Sequence, residues 1–290
     1  MSKVAIVTDS NSGITQADGK EMGVFVLPMP FYIDDELFFE EITLTQEEFY
    51  QKMESDADIK TSQPAPGDVM KLWDDILKEY DEIVHIPMSS GLSGSCQTAK
   101  QLALDYDSKV QVVDNHRISV TLMESVYDAK FLADQGKSAV EIRKYLEETA
   151  YQASIFLTVN SLKYLKKSGR ITSSAAAIAN ILNIKPLLTI QGEKLDLFAK
   201  VRGSRQSEKK LIEALKADIA SRFLDVPSDR LQIATAGTFE KEEDAKRWVD
   251  LVQSAFPDHP VYYSPLSCSI ACHVGINAAG LGAIVTAKRK

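Results

Sequence analysis

Residues 4–13 read VAIVTDSNSG, and this stretch decides the fold class. Its first half is a short apolar run with β-branched residues, and its second half is polar and ends in glycine. The pattern predicts a buried strand that runs directly into a polar loop.

The same arrangement recurs along the chain. Further apolar runs lie at residues 83–86, 110–113, 155–159, 231–234 and 261–263. Amphipathic stretches with helical spacing lie between them, at residues 67–80, 96–106, 118–135, 139–150, 205–223 and 240–256. Strands that alternate with helices predict an α/β fold, with parallel sheets covered by helices on both faces. Ligands of such sheets usually bind at the loops beyond the carboxyl ends of the strands.

The chain length of 290 residues suits two domains of ordinary size. A helix is predicted to end near Gln152, where a new strand begins, so we place the domains at residues 1–152 and 153–290. Residues 186–190 and 195–201, joined by a glycine-containing turn, predict a hairpin. The second domain is therefore expected to contain a mixed sheet.

The composition excludes several classes of protein. Hydrophobic residues make up 44% and charged residues 26%, as in soluble globular proteins, and the net charge of −8 argues against nucleic acid as a ligand. We expect no transmembrane segment, because no run of about 18 apolar residues occurs. The first residues predict no signal peptide. Three cysteines, an odd number, suit a reducing cytosol, so we expect a cytoplasmic protein.

Two polar loops are candidates for ligand binding. The first, residues 60–64, reads KTSQP and leads into a predicted helix. The second, residues 87–95, reads PMSSGLSGS and directly precedes another predicted helix. Free N–H groups, hydroxyls and the positive end of the helix dipole make the second loop a candidate anion site. The structural alternative is simple N-capping by Ser93 or Ser95.

Two further clusters carry reactive or charged side chains. Residues 161–170, SLKYLKKSGR, and a second basic group at residues 200–210 stand out in an acidic protein and could bind a nucleotide or an acidic partner. Cys268, Cys272 and His273 could in principle hold zinc. Because no second ligand pair follows, we predict no metal site and assign both cysteines to the core.

Two enzymatic alternatives remain open at this point. The segment GLSGS at residues 91–95 approaches the nucleophile elbow G-x-S-x-G but ends in serine. An esterase or thioesterase would use Ser93 as nucleophile and His273 as base. The basic cluster would suit a nucleotide-binding kinase, against which the absence of a P-loop argues.

Taken together, these motifs identify a family resemblance over essentially the whole chain. The sequence resembles the DegV family, the fatty-acid-binding subunits of bacterial fatty-acid kinases. The motifs that carry the resemblance are VTDS at residues 7–10, TSQP at 61–64, SSGLSGS at 89–95, LKKSGRI at 165–171, IKP at 184–186, VRG at 201–203 and HVG at 273–275.

The resemblance implies a two-domain DegV-like fold that holds a fatty acid in a tunnel, with the carboxylate at the domain interface, and no other cofactor. It implies that Thr61 and Ser93 hydrogen-bond the carboxylate, with Arg170 and His273 near the head group. Ser62 and Gly94, which adjoin the first two, complete the predicted carboxylate site.

The same resemblance implies that the chain is not itself an enzyme. It would present the fatty acid to a separate ATP-binding kinase subunit, and an acyltransferase would use the resulting acyl phosphate for phospholipid synthesis. We assign Lys167, Arg202 and Arg205 to docking of the kinase, because cations suit an acidic surface or a phosphoryl group.

One segment departs from the family pattern. After the strand at residues 110–113, the family commonly has small residues and glycines, whereas residues 114–122 here read DNHRISVTL. The bulkier side chains are expected to reshape the tunnel or its entrance, and the acyl preference with it.

Overall fold

The computed structural model describes residues 2–55, 57–177 and 184–289. The strands are β1 (Val4–Asp9), β2 (Val24–Leu27), β3 (Pro30–Ile33), β4 (Glu36–Phe39), β5 (Ile59–Thr61), β6 (Glu82–Ile86), β7 (Val110–Val112), β8 (Ala153–Thr158), β9 (Ile184–Ile190), β10 (Asp196–Arg202), β11 (Leu231–Gly237), β12 (Val261–Pro265) and β13 (Ala279–Val285). The α-helices are α1 (Gln16–Met22), α2 (Gln46–Glu54), α3 (Pro66–Ile76), α4 (Ser95–Leu102), α5 (Val120–Asp134), α6 (Ala139–Glu148), α7 (Lys163–Ser168), α8 (Ser173–Ala176), α9 (Ser204–Arg222), α10 (Glu242–Ala255) and α11 (Cys268–Val274).

The first large sheet is parallel, as predicted. Its strand order is β2-β1-β6-β7, and each neighbouring pair runs in the same direction. Apolar side chains from α3 and α4 cover one face, with Trp73 fully buried at its centre. Since β1 is buried on both faces, its sequence is a continuous apolar run rather than an alternating one.

The second large sheet is mixed, as predicted. Its order is β10-β9-β8-β13-β11-β12, in which only β11 and β12 are parallel neighbours. The predicted hairpin is present as β9 and β10. Helices α9 and α10 cover the outer face, where Trp248 and Leu211 are buried.

Helix α5 joins the two large sheets. It is buried along most of its length, and its apolar residues belong to one core cluster with Ile6 of β1 and Ile284 of β13. The first large sheet ends before residue 152 and β8 begins at Ala153. Because the core is continuous across this point, the division into domains at residues 152 and 153 stays a prediction.

A small third sheet was not predicted from the sequence. It has the order β4-β3-β5 and packs, together with α2, against α11 through Phe31, Phe49 and Cys268. Its strands have only three or four residues each, too few for a periodic signal. Throughout the described ranges, every helix is too short or too polar to cross a membrane.

Candidate functional site

An interior cavity of about 300 Å³ lies where the loops of the parallel sheet meet the inner face of the mixed sheet. This volume is at the lower end of the range for small-molecule sites, about 300–1,000 Å³. Most of the lining is apolar: Met29, Met88, Leu92, Ile118, Val120, Ile155, Leu157, Leu165, Ile190, Leu195, Ala236, Leu266, Ile270, Val274 and Leu281.

The polar part of the lining includes all the residues predicted to bind a carboxylate. They come from separate parts of the chain and line the same cavity: Thr61, Ser62, Ser93, Gly94, Arg170 and His273. The loops after β1, β6 and β7 also reach it, as expected for the carboxyl ends of parallel strands. The cavity therefore has a polar group of side chains on an otherwise apolar wall.

Thr61 and His273 are in direct contact. Thr61 is the last residue of β5, and its Oγ1 lies 3.1 Å from Nε2 of His273 in α11. The small third sheet brings them together, because β5 is held to it by pairing of Thr61 with Phe31, which packs on α11. Nδ1 of His273 is buried and has no hydrogen-bond partner among the described residues.

Arg170 is the cation of this site. The left-handed turn at Gly169, with φ of 70°, ends α7 and places Arg170 at the cavity. Its Nε donates to the Leu92 carbonyl at 3.3 Å and its Nη1 to the Ser168 carbonyl at 2.5 Å. Within the described part of the chain, Arg170 has no carboxylate partner. Its charge is therefore available to a bound anion.

His273 is neutral near pH 7. Burial, together with the nearby Arg170 charge, lowers the pKa of His273 to about 4. A neutral imidazole has one N–H donor and one acceptor. It can therefore orient Thr61 without adding charge.

Ser93 lies both at the cavity wall and next to the start of α4. It lines the cavity, and its Oγ also accepts a hydrogen bond from the Ser95 N–H at 3.2 Å, at the start of α4. Gly94, the residue that precedes α4, has no side chain to cap the helix. The Ser93 hydroxyl oxygen thus satisfies the first N–H group of α4.

Three polar residues of the cavity wall were missed in the sequence: Asn11, Ser119 and Ser269. The Asn11 side chain accepts from Ser267 Oγ at 2.7 Å, and Ser119 Oγ is buried without a partner among the described residues. Ser269 lies one helical turn before His273, a spacing that could have revealed it.

The bulky segment at residues 114–122 enters the cavity wall only in part. Ile118, Ser119 and Val120 line the cavity. His116 instead stacks on Tyr151, with ring centroids 5.2 Å apart. The buried guanidinium of Arg117 donates to the carbonyls of residues 149 and 150, at the end of α6. Its charge thus interacts with the negative end of that helix rather than with a ligand.

The residues predicted to dock a kinase lie outside the cavity lining. Lys167 is exposed, and its Nζ lies 2.6 Å from Asp58 Oδ1. Arg202 ends β10, and Arg205 lies in the first turn of α9. Both arginines are exposed and have no carboxylate partner among the described residues.

The arrangement of the cysteines and of Ser93 disfavours two alternative kinds of site. Cys268 and Cys272 are buried in the core between α11 and the small sheet, and burial raises the pKa of both thiols. The described residues contain no group of three or more side chains placed to hold a metal ion. They also contain no hydrogen bond between Ser93 and His273, as a serine esterase would need.

The fold and the cavity define a class of α/β protein in which two sheets enclose a ligand cavity between them. The model of the DegV family, described as "Uncharacterised protein, DegV family", matches residues 3–286. The chain belongs to this family.

Relatives and solved structures resemble the chain over almost its full length. A DegV domain-containing protein of Staphylococcus aureus is 31% identical over 281 residues, which are 97% of this chain and 98% of the relative. A structure described as fatty acid binding of a DegV family protein from Thermus thermophilus has a TM-score of 0.87 and 26% identity, with 98% of this chain and 99% of that chain covered. DegV of Bacillus subtilis, described as a fatty acid binding protein, has a TM-score of 0.85 and 25% identity, with coverages of 99% and 100%.

Proposed function

We propose that this protein binds one long-chain fatty acid in the interior cavity, with the carboxylate at Thr61, Ser93, Arg170 and His273. The observation that carries the proposal is the cavity itself, an apolar wall with one uncompensated guanidinium and several hydroxyls. Two structures with the same fold are described as binding fatty acids, which supports the same ligand class here.

The magnitudes are compatible with stable binding. A sixteen-carbon chain has about fourteen CH₂ groups, whose burial contributes about 11 kcal/mol at roughly 0.8 kcal/mol each. Association costs on the order of 4–15 kcal/mol. The tail can therefore supply most of the affinity, provided that the head group is not left unpaired.

The head group would be held by hydrogen bonds and one charge. If Nε2 of His273 carries the imidazole proton, it donates to Thr61 Oγ1 and leaves the Thr61 hydroxyl proton free for the carboxylate. Arg170 offsets the negative charge, and the Ser93 hydroxyl adds a donor. Ser62 and Gly94 complete the wall around them.

The bound acid is then presented to a separate ATP-dependent fatty-acid kinase subunit. The resulting acyl phosphate serves an acyltransferase of phospholipid synthesis, so the chain acts as a carrier rather than a catalyst. Lys167, Arg202 and Arg205 would dock the kinase. This part rests on the family resemblance and on the exposure of those cations. The three cysteines are free thiols, as suits a protein of the reducing cytosol.

Mass spectrometry of lipid extracted from the denatured purified protein tests the fatty-acid proposal. We expect one fatty acid per chain. Protein stripped of lipid should bind added sixteen-carbon fatty acid with the same stoichiometry, while the corresponding alcohol, which lacks the carboxylate, binds more weakly. If no acyl species is recovered and none is taken up, the proposal is wrong.

A further inference from the structure

A second cavity, of about 270 Å³, lies on the outer face of the mixed sheet, near the first turns of α9 and α10. Unlike the fatty-acid cavity, its lining is mainly polar: Thr158, Val159, Asn160, Lys185, Ser204, Ser207, Glu208, Phe239, Asp244, Arg247, Asn277 and Ala279. The proposed carrier role does not use these side chains.

Lys185 is a partly buried cation that forms no ion pair among the described residues. Its Nζ donates to Asn160 Oδ1 at 2.5 Å, and no carboxylate pairs with it among the described residues. Burial lowers the pKa of Lys185. Because desolvation of a cation is unfavourable, the site favours an anion beside Lys185.

The acidic residues of this cavity compensate a different cation. The Glu208 carboxylate accepts two hydrogen bonds from the Arg247 guanidinium, from Nη1 at 3.0 Å and from Nη2 at 2.7 Å. Glu208 and Asp244 both raise the pKa of Arg247. Glu208 is therefore paired with Arg247, and neither carboxylate forms an ion pair with Lys185 among the described residues.

The N-terminus of α9 adds uncompensated donors to the same cavity. Gly203 precedes the helix with φ of 82° and has no side chain to cap it, and Ser204 and Ser207 line the cavity. The first N–H groups of a helix have no partner within it and carry its positive partial charge. In a helix of 19 residues this end is a favourable place for a phosphate group.

A buried hydroxyl in the same cavity also lacks a partner. Thr158 is only 7% exposed, and its Oγ1 has no hydrogen-bond partner among the described residues. Side chains two positions apart on a strand share a face, so Thr158 points to the same side of β8 as Phe156, which packs with Leu211 of α9. The hydroxyl therefore faces the side on which the cavity lies.

From these features we infer that the outer cavity binds a phosphate group, either free or in a small hydroxylated monoester. Lys185, the α9 N–H groups and the Thr158 hydroxyl bind the phosphate oxygens. Asp244 and Asn277, which also line the cavity, can accept hydrogen bonds from ligand hydroxyls. The site does not depend on fatty-acid binding, because Ile155 and Leu157 of β8 line the other cavity, from the opposite face of the strand.

Isothermal titration calorimetry with inorganic phosphate, glucose 6-phosphate and glucose tests this inference on the full chain. We expect both phosphates to bind and glucose not to bind. Tighter binding of glucose 6-phosphate identifies a monoester as the ligand, and equal binding of the two identifies free phosphate. Absence of heat with both phosphates overturns the inference.

Three variants locate the binding. Lys185→Gln and Thr158→Val are each expected to weaken phosphate binding about tenfold or more, because each removes a hydrogen bond to a charged group. Lys194→Gln removes the same charge from the exposed turn of the β9–β10 hairpin and is the matched control. Thr158→Val should keep its unfolding midpoint, since its hydroxyl has no hydrogen bond to lose. If Lys185→Gln binds phosphate like the Lys194→Gln control, the assigned site is wrong.

Discussion

The hydroxyl of Thr61 lies 3.1 Å from Nε2 of His273, although 212 positions separate the two residues in the chain. The contact exists because the small third sheet holds β5 against α11. It connects the region of the parallel sheet to the region of the mixed sheet at the polar part of the cavity. A ligand carboxylate at this point would contact both halves of the chain.

Thr61→Val is expected to weaken fatty-acid binding and to keep the fold, with some loss of stability because Nε2 of His273 loses its hydrogen-bond partner. The substitution removes the hydroxyl but keeps the shape and the β-branched character that suits β5. Loss of a hydrogen bond to a charged group costs about 1.5–3 kcal/mol, or roughly 10- to 150-fold in affinity. Fluorescence titration of lipid-free protein with a labelled fatty acid measures the change. Affinity equal to that of the unsubstituted protein would remove Thr61 from the head-group site.

Ser93→Ala should reduce both fatty-acid affinity and stability. The Ser93 hydroxyl lines the cavity and also accepts the Ser95 N–H at the start of α4, a kind of contact worth about 0.5–2 kcal/mol of stability. Ser95→Ala is the matched control, because the buried Ser95 hydroxyl has no partner among the described residues and lies outside the cavity lining. If both variants lose affinity equally, the effect belongs to the loop and not to the Ser93 hydroxyl.

The large elements were predictable because their patterns are long. The parallel strands are continuous apolar runs, and helices such as α3 show clear amphipathic spacing. Strand β13, which reads AGLGAIV, was missed because its small residues resemble a loop. Packing favours glycine at one of these positions: a Cβ on Gly282 would lie 3.1 Å from the Ser154 carbonyl oxygen, closer than an ordinary contact. Sequence pattern alone does not reveal such a close approach.

The candidate site could be predicted only as separate motifs. Serine-rich loops before helices carry a recognisable anion-binding pattern, and the family resemblance added Thr61, Arg170 and His273. The contact between Thr61 and His273 depends on the third sheet, whose strands are too short to give a signal. The apolar wall was not predictable, because ligand-lining and core residues such as Ile270 have the same chemistry and differ only in position.

Acid should destabilise the lipid-free protein through His273. The pKa of His273 is about 4 in the folded state, below the ordinary histidine value of 6.5, so the unfolded chain binds more protons as the pH falls between these values. The free energy of unfolding that His273 contributes is therefore complete above about pH 6.5 and is lost as the pH falls towards 4. Buried His85 adds to this loss, because burial lowers its pKa to about 3. Urea unfolding at a series of pH values should show a smaller loss in His273→Gln. Identical pH profiles would contradict this role.

Gly280→Val should shorten the acyl chain that the cavity accepts. Gly280 lines the cavity, and a Cβ built there lies 3.6 Å from the Ala236 Cβ, an ordinary contact. The added methyl groups then occupy cavity volume rather than clash with the backbone. We expect affinity for an eighteen-carbon acid to fall more than affinity for a twelve-carbon acid, measured by competition. Equal losses for both acids would indicate a general distortion of the site.

The exposed arginines allow docking to be separated from ligand binding. Arg202→Ala and Arg205→Ala should leave fatty-acid affinity unchanged, because neither residue lines the cavity. Both should reduce turnover by the kinase subunit, and more so at low salt, where attraction between exposed charges is strongest. Lys144→Ala, at an exposed position in α6, is the control for a general loss of positive charge. Unchanged turnover at low ionic strength would remove the docking assignment.

Arg170→Ala should affect fatty-acid binding, unlike Arg202→Ala and Arg205→Ala. Arg170 lines the cavity without a carboxylate partner among the described residues, so Arg170→Ala should lower fatty-acid affinity and turnover together. Loss of turnover alone would instead place Arg170 on the path of phosphoryl transfer.

Lys167 is already paired with Asp58, which weakens the electrostatic attraction between Lys167 and an acidic docking partner. Lys167→Ala should therefore reduce turnover less than Arg202→Ala does, with fatty-acid affinity unchanged. A larger loss of turnover than in Arg202→Ala would show that Lys167 leaves Asp58 to pair with an acidic group of the kinase. Fatty-acid affinity measured on the same variants distinguishes this outcome from a defect in ligand binding.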